Sequence, residues 1–183
     1  MKIFVLATCI ALSACAYAVV PDTARLAPGQ LGSNGDPDVA AIQLAQYAFA
    51  DPSRTYGRPI DAARAAASLE YAAGQFYTSP RWQNISVLTK EQLLQGRQEM
   101  RTALGVAPGA PSQAVVDQLI AAANAMVAQD RAAAIGLLGG PVFTAPGETV
   151  LARLSNMPYL QMANVSTMKA ANQLFEPNGN DFF

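Results

Sequence analysis

The residues able to do chemistry in this chain are few. None of the 183 residues is histidine. This removes the commonest general base and the commonest metal ligand. Ser-His-Asp hydrolysis and His-based zinc sites are excluded with it. Thirteen acidic side chains remain, and they do not cluster. Asp36 and Asp38 come nearest, in Asn34-Gly35-Asp36-Pro37-Asp38. The run has the opening of a calcium loop but lacks its glycine and its distal glutamate. Aspartate followed by proline is better read as a helix N-cap with proline at the first helical position. A single helical glutamate such as Glu70, beside Tyr71, can serve as a general acid. The motifs that accompany such a residue in a hydrolase are missing, so Glu70 reads as a solvated glutamate paired with a basic neighbour. Met157, Met162 and Met168 are spaced as core fillers. No glycine-rich loop follows a strand, which removes dinucleotide and P-loop chemistry. The expectation is a protein without metal or cofactor that is not an enzyme.

What remains is binding. Tyr47, Phe49, Tyr56, Tyr71, Phe76, Tyr77 and the sole tryptophan, Trp82, fall in one window with Arg54, Arg58, Arg64 and Arg81. Rings beside arginines suit a groove for a glycan, a peptide or another protein. The candidate contact residues are Trp82, Tyr71, Tyr77, Tyr56, Arg58 and Arg81, with Trp82 foremost. The competing reading is that these rings supply bulk to an alanine-rich core.

The elements that position them read as helices. The first covers about 37–50 and is stopped by Asp51-Pro52. The second, about 59–77, opens at Pro59 and is rich in alanine, the best helix former and one that permits close helix approach. Residues 79–82 suggest a short helical turn. Thr89 with Lys90-Glu91-Gln92 reads as a capping box opening a helix to about 104, ended by Gly105. The longest helix is expected over 112–138, followed by a short one near 148–156 and a last one from Pro158 to about Phe175. Ile85-Ser86-Val87-Leu88 is the one candidate strand, too short and solitary to build a sheet. The expected fold is all-α, a compact irregular bundle of five or six helices over residues 36–176, with residues 177–183 as a tail. The terminal Phe182-Phe183 is an apolar end.

The N-terminus carries an address. Lys2 precedes an apolar stretch from Ile3 to Leu12, which is too short to span a bilayer. It closes on Leu12-Ser13-Ala14-Cys15. This pattern resembles the lipobox of bacterial lipoproteins. The resemblance covers about the first fifteen residues. It implies a signal peptide over 1–14, cleavage before Cys15 and lipidation of that cysteine with three acyl chains. Ala16 in place of aspartate leans towards the outer membrane. A second cut site competes: Ala16-Tyr17-Ala18 fits ordinary export, with cleavage after Ala18 giving a soluble periplasmic or secreted protein. Residues 15–35, punctuated by Pro21, Pro28, Gly29, Gly32 and Gly35, read as a flexible tether, the alternative being that part of them packs as an irregular arm on the domain.

Composition fits this address. Cys9 and Cys15 are the only cysteines, so the domain after the signal has neither disulfide nor thiolate. Loss of Lys2 leaves eleven basic against thirteen acidic side chains. That balance offers no footprint for nucleic acid. The expected partners are the membrane, through the lipid, and another envelope protein. The expected role is a structural or protein-interaction lipoprotein. The alternative is a small-ligand or glycan binder with an aromatic cleft near Trp82.

Overall fold

The computed structural model describes residues 20–32 and 35–175. Cys15, the signal region and the 177–183 tail lie outside the described residues. Among the described residues seven α-helices follow one another: α1 Pro37–Phe49, α2 Pro59–Thr78, α3 Val87–Leu104, α4 Ser112–Val127, α5 Arg131–Leu138, α6 Gly147–Ser155 and α7 Gln161–Phe175. Single 3-10 turns at Pro52–Arg54 and Pro80–Trp82 flank α2. The fold is all-α and compact. Among the described residues no helix is long and apolar enough to cross a membrane.

The alanine run explains the architecture. Helix α2 is touched by α1, α3, α4 and α6. It is buried along most of its length, including Ala62, Ala63, Ala65, Ala66, Ala67, Ala72 and Ala73. A helix with an apolar face this wide belongs inside. Small side chains let several neighbours approach its axis at once. Phe76 and Leu69 then fill the gaps. Helix α7 closes the bundle against α3 and α1. There the approach depends on Gly96, where a Cβ would stand 2.8 Å from the Ser166 hydroxyl and 3.0 Å from the Ala163 backbone.

Several expected boundaries moved. The 112–138 helix is two helices. Gln129 adopts the left-handed region (φ 61°), and the Asp130 carboxylate accepts from the Ala133 N–H at 2.9 Å to cap α5. No glycine or proline marks this break. Residues 85–88 form no strand. Ser86 is the N-cap of α3, its hydroxyl accepting from the Thr89 N–H at 3.2 Å, so the helix starts three residues before the expected box and takes in Val87 and Leu88. The last helix starts at Gln161 rather than Pro158. Its free N–H groups at Met162 and Ala163 are met across the bundle by Glu99 of α3, at 2.8 and 3.0 Å. Other expectations hold. Asp36 caps α1 with Pro37 behind it, accepting from the Asp38 N–H at 2.9 Å. Gly105 ends α3 in the left-handed region.

Residues 20–32 are not a free linker. They form an irregular arm, turned over 28–32, that packs on the bundle, with Ala24 and Leu26 buried and Asp22 bonded to Ser112 at the start of α4. Over that stretch the packed arm, the alternative to the expected tether, is what the structure shows.

Candidate functional site

The aromatic window divides into two groups. The first surrounds Asp38, in the first turn of α1 and buried. The Trp82 indole N–H donates to its Oδ2 at 2.8 Å, and the Tyr71 hydroxyl, from α2, donates to its Oδ1. Arg81 stands at the rim. Its guanidinium lies 4.3 Å from the centre of the Trp82 ring, 3.4 Å from Asp38, and in an ion pair with Asp36. Phe76 backs the indole at 5.1 Å between ring centres, tilted by 41°, a favourable aromatic arrangement. Burial and the neighbouring Asp38 push the Tyr71 hydroxyl well above its ordinary value. The hydrogen bond from Arg81 holds Asp36 below the usual carboxylate range.

Trp82 is therefore core. It is 7% exposed and its one polar atom is already used. Tyr71 is buried with it. The expectation that these two are surface anchors is overturned for a physical reason: a buried carboxylate needs donors, and the rings are placed to supply them. Of this group Arg81 and its partner Asp36 reach solvent. Tyr77 is half-buried beside Glu91, whose carboxylate raises its hydroxyl pKa.

The second group faces water. Tyr56 is 68% and Tyr47 54% exposed. Arg54 lies 4.4 Å above the Tyr47 ring and donates to its carbonyl at 2.7 Å. Arg58 is exposed and paired with Asp61 at 2.6 Å. The sequence window omits a third ring at this end, Tyr159, which is 54% exposed. It lines a small recess with Ala48, Phe49, Pro52 and Thr55. The two segments are stitched together: the Gly57 N–H donates to the Ser155 carbonyl at 2.8 Å, and Asn164 donates to the Phe49 carbonyl at 3.1 Å. Beyond Ser155 lies an open cleft of about 270 Å³ lined by Pro59, Ile60, Met126, Gln129, Arg131, Leu151 and Ser155. None of these side chains is aromatic, and the cleft is not at Trp82. The left-handed Gln129 sits on its wall.

Glu70 also departs from expectation. It is fully buried, not solvated, although it does have basic partners. Arg101 donates to both its oxygens, at 2.8 and 2.5 Å, and Arg97 lies 3.8 Å away. Burial lowers the Arg97 pKa, while Glu70 holds Arg101 up against the same effect. A carboxylate so enclosed and so doubly bonded is poised to hold helices together rather than to meet a substrate.

Comparison with protein-family models, curated proteins and solved structures finds no match to this chain.

Proposed function

We propose that the chain is a membrane-anchored envelope lipoprotein whose helical domain acts as a structural or protein-interaction module. The anchor rests on Leu12-Ser13-Ala14-Cys15 behind a short apolar stretch. The interaction role rests on one observation: Tyr47, Tyr56 and Tyr159 stand exposed at one end of the bundle. Tyrosine and arginine are enriched where binding energy concentrates. The recess at Tyr159 holds only about 10 Å³, too little for an enclosed small ligand, so a protein surface suits this end better.

Two measurements test the two halves. A palmitate analogue fed to producing cells is expected to label the wild type and not Cys15→Ser. Absence of label together with a mature N-terminus at Val19 contradicts the anchor and supports soluble export. A photo-crosslinking residue at position 56 or 159 is expected to give a discrete adduct in intact cells. The same residue at the exposed position 132 is the control. Equal adducts at all three positions, or none, contradict the interaction surface.

The second reading is a small-ligand binder, and the cleft beside Ile60 and Gln129 is what favours it. Backbone held in a sparsely populated region gathers at functional sites. Saturable binding abolished by Ile60→Trp, with the domain still folded, would support this reading over the first.

A further inference from the structure

The arm over residues 20–32 lies where α2, α3 and α4 meet, and Asp22 carries most of its attachment. Its Oδ2 accepts from the Ser112 N–H at 2.6 Å, at the start of a helix whose own N-cap, Pro111, offers no side-chain bond. Its carbonyl accepts from Arg97 at 2.8 Å and from the Ser112 hydroxyl at 3.3 Å. That carbonyl comes so close to α2 that a Cβ at Gly74 would stand 2.7 Å from it. Three residues on, Gln113 clamps the backbone of Arg25 on both sides, accepting from its N–H at 2.7 Å and donating to its carbonyl at 3.3 Å. Arg97 and Arg101 already face Glu70, and each also feels the charge of Asp22. With the arm docked, the Asp22 carbonyl takes a hydrogen bond from one of these two guanidiniums.

The attachment is specific, yet small. Ala24 and Leu26 are its buried apolar side chains, while Asp22, Thr23 and Arg25 face water. Segments held by so few contacts open at free energies well below that of the whole domain.

We propose that this arm is a releasable strap that sets how far the folded domain stands from the membrane. The inference rests on the lipid-anchor reading above. With the strap docked, the chain between the lipid and the first docked residue, Cys15 to Asp22, spans at most about 23 Å. With it released, the distance is set by the chain from Cys15 to Asp36, which spans at most about 70 Å. The tyrosine-bearing end would then reach partners farther from the lipid surface, at the cost of the Asp22 bond at the start of α4.

The test uses the full chain, lipidated in cells and purified in detergent. A thiol is placed in the buried arm position by Ala24→Cys. It is expected to react slowly with maleimide, and Asp22→Ala is expected to speed it about tenfold, as loss of a charge-assisted bond predicts. Gln113→Ala, acting on the other clamp, is expected to move the rate the same way. Circular dichroism checks that each variant is folded. The same proteins, carrying a donor dye on Ala132→Cys in place of the Ala24 thiol, are placed in phosphatidylethanolamine–phosphatidylglycerol vesicles with an acceptor on the headgroups. Asp22→Ala is expected to lower energy transfer. A fast thiol that neither variant alters overturns the docked strap. Unchanged transfer in vesicle-bound protein overturns the control of reach. Protein that fails to float with vesicles removes the anchor and the reach with it, and slow labelling at position 24 then identifies the anchor, not the docking, as the fault.

Discussion

Asp38 and Glu70 are both buried carboxylates on neighbouring helices, and they are satisfied in opposite ways. Asp38 receives two neutral donors, the Tyr71 hydroxyl and the Trp82 indole, with the cation Arg81 held at the solvent edge. Glu70 receives a guanidinium on both oxygens and has a second one nearby. The first solution takes aromatic side chains out of the pool available for binding. The second leaves Arg97 able to donate to the Asp22 carbonyl of the N-terminal arm. The contrast explains why half of the aromatic window is structural, and why a segment that reads as a linker is docked.

The Glu70 side is expected to be the more fragile. Glu70→Ala strands Arg97 and Arg101 in the interior, and breaking a buried pair costs about 3–5 kcal/mol. Urea unfolding is expected to show that loss. A cost below about 1 kcal/mol would mean that water enters the cluster freely. Asp38→Asn keeps the shape and one acceptor oxygen. It is expected to cost about 1–3 kcal/mol, less than the Glu70 change, and reversal of that order breaks the comparison.

The smallest effect depends on pH. The Tyr71 hydroxyl is held above its ordinary value of 10.0 in the folded protein. The stabilisation linked to its protonated form is complete below about pH 10, the unfolded value, and is lost as pH rises towards the folded value. Tyr71→Phe is expected to cost about 1 kcal/mol at neutral pH and to flatten the alkaline fall in stability. An alkaline limb identical in both proteins would place Tyr71 outside the network.

Much of the fold was legible because its signals are local. Pro37 behind Asp36, Pro59 opening α2, Gly105 ending α3 and the alanine run of α2 each act within a turn of chain. The break at Gln129 was hidden, since a left-handed glutamine between two alanine-rich helices carries no breaker residue. The cap on α7 was hidden because Glu99 comes from a distant helix. The site was less legible for the same reason. Residue type placed Trp82 and Tyr71 among binding candidates, but Asp38, which claims their polar atoms, lies more than thirty residues away in the chain. Tyr56 and Arg58 do face water, and the sequence window stops far short of Tyr159, which the fold brings to the same end.

The central claim is that the aromatic window is divided, with its tryptophan serving the core. Because Trp82 is the only tryptophan, its fluorescence reports on that residue alone. Acrylamide quenching is expected to be weak in the folded protein, to rise sharply on unfolding in urea, and to stay weak in Tyr56→Ala. Quenching of the folded protein as strong as that of the unfolded chain would put the indole in solvent and contradict the account.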